Sequence, residues 1–139
     1  MKNIYEVFDD FTKAKTRAEK IDLLRSDRSR VLKDVLQGAF SPSIQFVFDK
    51  PLEYKPSDAP PGLGYTSIEQ ELKRVYLFIK DHPRIAPDLT HQRKEHILMQ
   101  ILEALEAREA EVYMNMLLKD LKVKGLDEKL VREAFPGLI

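Results

Sequence analysis

The sequence predicts an all-α fold: a single compact helical domain of six or seven helices, with a Pro-rich ordered loop around residues 49–65. Apolar residues recur at three- and four-residue spacing in segment after segment, the period of one helical face. Hydroxyl or acidic side chains stand just ahead of those segments, where they can take up the orphan amides of a helix start. Prolines and glycines fall at the breaks.

Ile4, Val7, Phe8 and Phe11 line one face of a first helix that runs from Asn3 to near Lys15. Thr16-Arg17-Ala18-Glu19 has the form of a capping box and opens a second helix, with Ile21 and Leu24 inward. Asp27 or Ser29 caps a third, burying Val31, Leu32, Val35 and Leu36 and ending near Gly38, whose missing Cβ suits a left-handed C-cap. Ser41-Pro42-Ser43 is a turn, and Ile44 to Phe48 fits a strand, a helical turn or an extended core insert equally well. The loop holds Pro51, Pro56, Pro60, Pro61, Gly62 and Gly64, which exclude regular structure and place a turn at Gly62-Leu63-Gly64.

Thr66-Ser67-Ile68-Glu69 is a second capping box, from which Ile68, Leu72, Val75, Tyr76 and Ile79 predict a helix to about Asp81, stopped by Pro83. Thr90 caps a long helix marked by Ile97, Leu98, Ile101, Leu102 and Leu105, and the pattern resumes from Glu106 to Leu121 through Val112, Tyr113, Met116 and Leu117. The last helix starts at Asp127 behind Gly125 and ends at Phe135, before Pro136-Gly137. Neither half carries enough apolar residues for a core alone, so Phe8, Phe11, Val35, Leu102, Val112 and Leu117 are expected to share one.

The 139 residues carry 23 Lys+Arg against 23 Asp+Glu and no Cys. The balance removes the simplest nucleic-acid argument, a grossly basic chain, and the missing thiols exclude disulfides, thiolate zinc sites and Cys nucleophiles. Acids inside Met1 to Asp10 do not suit a secretory signal, and no stretch reaches the roughly 18 apolar residues of a membrane span. His82, His91 and His96 lack metal-ligand spacing and are expected to be solvated, as are the acids Glu103, Glu106, Glu109 and Glu111. Tyr54, Tyr65, Tyr76, Tyr113, Met99, Met114 and Met116 fit core or rim better than a cofactor box. No catalytic constellation, cofactor site or metal site emerges.

Charge placement is more informative. Lys13, Lys15, Arg17, Lys20, Arg25, Arg28, Arg30 and Lys33 face only Glu19, Asp22 and Asp27, eight bases against three acids over residues 13–33. That segment is a candidate phosphate surface, to which a helix start and the hydroxyls of Thr16, Ser26 and Ser29 can add. Lys119, Lys122 and Lys124 form a second cluster ahead of Gly125, with Lys129 beyond it.

Taken whole, with Glu53-Tyr54-Lys55-Pro56-Ser57-Asp58-Ala59-Pro60-Pro61-Gly62-Leu63-Gly64-Tyr65 at its centre, the chain resembles a family of small uncharacterised proteins of tailed phages of the T-even group. Its ends also resemble the N-terminal helical DNA-binding domain of ATP-dependent DNA ligases of the T-even type. Met114-Asn115-Met116-Leu117-Leu118-Lys119-Asp120-Leu121-Lys122-Val123, then Gly125, and Phe135-Pro136-Gly137-Leu138-Ile139 are similar to the last two helices of that domain. The stretch from Ile4 through Leu36 to Ser41 and Gln45-Phe46 follows its first three. Lys124 stands as an insertion before Gly125, and Asp127 where the ligases place a hydroxyl residue against a DNA phosphate. The ligase adenylation motif Lys-x-Asp-Gly has no counterpart, since no Asp-Gly pair occurs.

The resemblance implies a non-enzymatic protein that binds duplex DNA through its backbone, independently of sequence, in the cytoplasm of an infected host cell. The expected charge partners are Lys15, Arg17, Lys20, Arg28, Arg30, Lys119, Lys122, Lys124 and Lys129, with Gly125 allowing close approach. The rival expectation is a protein-interaction adaptor, docking the apolar tail Phe135 to Ile139 on a sliding clamp or another phage replication or transcription protein, or a virion or assembly component.

Overall fold

The computed structural model describes residues 2–61 and 63–139, and among them the chain forms seven α-helices and one 3-10 helix. These are α1 (Ile4–Lys13), α2 (Arg17–Ser26), α3 (Arg30–Phe40), α4 (Ile68–Leu72), the 3-10 helix (Val75–Phe78), α5 (His91–Ala104), α6 (Ala107–Leu117) and α7 (Glu128–Ala134). The caps follow local chemistry: the side chains of Thr16, Ser29, Thr90 and Asp127 accept backbone amides at the starts of α2, α3, α5 and α7. Ser67, not Thr66, caps α4, and the Thr66 hydroxyl donates to the Glu71 carboxylate instead (2.7 Å). No helix among the described residues is long and apolar enough to cross a membrane.

One core unites the two halves: Phe8, Phe11, Val35, Leu102, Val112 and Leu117 belong to a single cluster of buried side chains. α6 runs through its centre and packs on α1, α3, α4 and α5, while α7 packs on α2. Each fully buried Leu or Phe contributes about 1.5–3 kcal/mol by leaving water. Tyr113 is fully buried and donates its hydroxyl to the Glu71 carbonyl (3.0 Å), pinning α4 to α6.

Several elements depart from the sequence pattern. α3 ends near Gly38 as expected, at Phe40, but Gly38 lies inside the helix and is not a left-handed cap; a Cβ on it would lie 2.8 Å from Met116 Sδ. Glycine is there to let α3 and α6 approach. The helix expected from Ile68 to Asp81 breaks after Leu72, because residues 79 and 80 pair with an extended segment: Phe46 and Ile79 form an isolated antiparallel bridge, with Val47 N–H bonded to Phe78 O (2.8 Å) and Lys80 N–H to Gln45 O (2.7 Å). That pairing selects the extended insert among the three readings of Ile44 to Phe48. The join that the spacing leaves open between Leu105 and Glu109 is a break at Leu105 (ψ 150), where Glu106 caps α6, and α6 stops at Leu117 rather than Leu121.

The Pro-rich loop crosses the α5 face: Lys55 N–H donates to Glu103 (2.9 Å), and Leu52 and Tyr54 pack on the core. Leu63 N–H returns to Pro60 O (2.9 Å) in a turn whose Gly62 lies outside the described residues. Gly64 lies against the α5–α6 junction, where a Cβ would sit 2.6 Å from Glu106 N and 3.0 Å from Ala104 O. Backbone cannot yield as a flexible side chain can. Gly64→Ala is therefore expected to destabilise the fold by about 1–3 kcal/mol, seen as a lower urea midpoint at unchanged slope.

Candidate nucleic-acid interface

Helix α6 ends in a Schellman turn, with Lys119 N–H bonded to Met116 O (3.0 Å) and Asp120 N–H to Asn115 O (3.0 Å). The position that glycine usually fills is Lys119, at φ 61. A lysine held left-handed costs roughly 1–2 kcal/mol in backbone strain. What holds it there is its ammonium, which donates to the carbonyls of Gly38 (2.7 Å), Ser41 (2.8 Å) and Ile44 (2.7 Å) and so closes the C-terminal end of α3. Partial burial lowers the Lys119 pKa. All three of its donors are committed, which removes Lys119 from the set of phosphate partners.

Beyond Lys119 the chain turns again at Lys122 (φ 57), whose amide donates to Asp120 Oδ1 (3.1 Å), and once more at Gly125 (φ 84). Gly125 is required by that φ; a Cβ there would make only ordinary contacts, 3.7 Å from Lys20 Cε and 3.9 Å from Phe11 Cε1. The turn is thereby laid across the C-terminal end of α1, and Lys122 and Val123 share a groove with Thr12. Asp9 and Glu111 line the same groove, and Asp9 is forked by Arg108 (2.8 and 2.9 Å), which holds its carboxyl below the usual carboxylate range. Lys122 and Lys124 are exposed, and among the described residues neither meets a carboxylate.

The other basic residues divide. Lys20 donates to Phe11 O (2.7 Å) and lies over the Phe11 ring (4.7 Å), capping α1. Arg17 is paired with Glu133 (3.1 Å from Nε) and Arg30 with Asp34 (3.0 Å), exposed pairs worth at most about 1 kcal/mol each. Arg25 grips the end of α7 through the carbonyls of Glu133 (2.7 Å) and Ala134 (3.0 Å). Lys13, Lys15, Arg28 and Lys129 are exposed and carry no ion pair among the described residues. Asp127 Oδ1 accepts the Leu130 amide (2.8 Å), so α7 has its own carboxylate where the ligase resemblance would place a phosphate contact.

Two further expectations are corrected. Glu106 and Glu109 are not solvated: both are buried, whereas Glu103 and Glu111 are exposed. Glu106 faces inward because it caps α6 through Oε1 and the Arg108 amide (2.9 Å), which leaves Oε2 buried and, among the described residues, without a hydrogen-bond partner. Burial, then the neighbouring Glu106, raises the Glu109 pKa. The apolar tail is not free either: Phe135, Leu138 and Ile139 pack against the core, and Gln37 Nε2 holds Leu138 O (3.3 Å). Among the described residues no three His, Cys, Asp or Glu are grouped to hold a metal ion.

The protein is thus an all-helical domain whose cations are partly structural and partly displayed at the meeting of α1 with the 119–126 turn. The chain belongs to a family of unknown function, DUF6433, whose match covers residues 7–124 and so takes in the basic segment, the loop and the turn as far as Lys124. No curated protein matches it.

Two outcomes follow. Lys119→Met, which keeps the length and loses the donors, should lower stability by about 2–4 kcal/mol in urea unfolding, because three carbonyls lose a charged partner. Glu109→Gln should be more stable than the parent near neutral pH, since a raised folded pKa means that ionising Glu109 opposes folding. That advantage should vanish below the ordinary value of 4.5, where the carboxyl is protonated in both states.

Proposed function

We propose that this is a non-enzymatic accessory protein that binds the sugar-phosphate backbone of duplex DNA, independently of sequence, in replication, recombination, repair or packaging. The observation that carries the reading is the 119–126 turn laid on the end of α1. The turn meets Lys20 of α2 and, at the end of α1, Phe11 and Thr12, next in sequence to the exposed Lys13 and Lys15, and it carries Lys122 and Lys124, which among the described residues have no ion-pair partner. Resemblance of both segments to the helical DNA-binding domain of T-even-type ligases supports the same reading, and gives the setting as an infected host cell. Lys122, Lys124, Lys15, Arg28 and Lys129 are the proposed phosphate partners; Lys20, Lys119, Arg17 and Arg30 stand behind them in structural roles.

A protein-interaction adaptor is the second reading, favoured by the tip of the Pro-rich loop: Leu63 is 70% and Tyr65 93% exposed. Mounted on the α5–α6 junction through Gly64, this tip offers a phage replication or transcription protein a better handle than the packed tail does.

Fluorescence anisotropy with labelled duplexes separates the two. Duplexes of unrelated sequence should bind alike and weaken steeply with salt, with each lost phosphate contact lowering the log-log slope by roughly 0.9. Lys122→Glu with Lys124→Glu should weaken all duplexes equally and leave the helical circular dichroism unchanged. No detectable binding at low salt overturns the DNA reading and leaves the adaptor.

A further inference from the structure

We propose that the turn following the 3-10 helix is a second binding site, one that takes a single-stranded polynucleotide by stacking a base on the Arg84 guanidinium, with the exposed Lys73 and Lys80 of the same segment for the phosphates.

Immediately after the Phe46–Ile79 bridge, Asp81 adopts a left-handed conformation (φ 58) and reverses the chain. Asp is one of the few residues that tolerate this at low cost. His82 then closes the turn at both ends of its own residue: its Nδ1 accepts the Arg84 amide (3.1 Å) and its carbonyl accepts the Ile85 amide (3.1 Å), with Pro83 fixing φ between them. The outcome is a stack on the surface, in which the Arg84 guanidinium carbon lies 4.5 Å from the Tyr76 ring centroid. The His82 ring lies 5.3 Å from the same ring at 45°.

Arg84 is exposed and has no carboxylate partner among the described residues, so its in-plane N–H groups and its outer face are both available. Lying on a ring, it has already lost much of the rotamer freedom that a floppy arginine would lose on binding. Residues 73–84 hold the exposed Lys73, Arg74, Lys80 and Arg84 against the single acid Asp81. Arg74 is held by Glu71 (3.1 Å), while Lys73 and Lys80 are unpaired among the described residues. Cations interleaved with ring faces suit a chain of phosphates and bases, because every base offers a π-face to a guanidinium or aromatic plane. Paired bases in a duplex keep those faces inside, which makes the fitting partner a single strand.

The site stands apart from the duplex reading but is joined to that region by the fold. Lys80 N–H bonds to Gln45 O (2.7 Å), and the adjacent Ile44 gives its carbonyl to Lys119 (2.7 Å). The turn that carries Arg84 and the turn that begins at Lys119 are therefore both tied to the same extended segment.

The test is anisotropy at low salt with a labelled oligothymidylate of about 15 nucleotides, an abasic oligomer of equal length and charge, and an oligouridylate that tells DNA from RNA. The wild-type protein should bind a base-bearing strand more tightly than the abasic one. Arg84→Lys, which keeps the charge and loses the plane, should weaken that binding by roughly 5- to 150-fold per stacked base. Abasic binding and circular dichroism should stay unchanged. Lys122→Glu with Lys124→Glu should do the converse, reducing duplex binding and sparing the preference for bases. Equal affinity for base-bearing and abasic strands, indifference to Arg84→Lys, or no single-strand binding at low salt each overturns the proposal. Loss of duplex binding alone leaves it standing.

Discussion

The structure depends on how the open carbonyls at helix C-termini are closed. Its helices are short, from 5 to 14 residues, so a large share of their backbone lies in terminal turns with no intrahelical partner. Three cations close these ends from elsewhere in the chain: Lys119 on α3, Lys20 on α1 and Arg25 on α7. Each bond satisfies orphan acceptors, opposes the negative end of a helix dipole and ties together segments distant in sequence. Lys119 shows how strongly this requirement acts, since it is met at the expense of a left-handed backbone at a residue with a side chain.

The same requirement divides the charge of the molecule. A basic run in sequence looks uniform, yet the fold withdraws Lys20, Arg25 and Lys119 into backbone bonds and Arg17 and Arg30 into ion pairs. What stays displayed is a smaller set around the 119–126 turn and the ends of α1, and a second set around Arg84. With no net charge overall, attraction for a polyanion has to come from such local groupings, over distances of about one Debye length.

α6 carries the opposite kind of tension. Its start is capped by Glu106, which brings into the interior one carboxylate oxygen that has no hydrogen-bond partner among the described residues, and Glu109 lies close enough to feel its charge. Burying two neighbouring acids opposes folding, and the fully buried Leu98, Leu102, Leu105, Tyr113 and Leu117 of α5, α6 and their junction supply apolar burial that offsets it. Close approach of the loop through Gly64 seals the same junction from outside.

The sequence by itself determined the elements. Three-four spacing of apolar residues, together with Thr16, Ser29, Thr90 and Asp127 as caps, is local information, and it located the helices, their buried faces and the irregular loop. It also brought residues 13–33 and 119–129 forward as basic. Tertiary structure decided whatever depended on a distant partner. Gly38 serves a helix contact and not a helix end because Met116 lies opposite; residues 79 and 80 leave the helical pattern because Phe46 and Gln45 pair with them. Glu106 and Glu109 share spacing with solvated acids and become buried where Gly64 of the loop, the start of α4 and α1 meet the start of α6. The Tyr76–His82–Arg84 stack is not legible in the sequence, since its signal, bases and rings interleaved over residues 73–84, is weak until Asp81 folds the segment onto itself. Which lysines remain open to a partner was likewise unreadable, because a lysine's position in the chain does not say which carbonyl lies within reach of its ammonium.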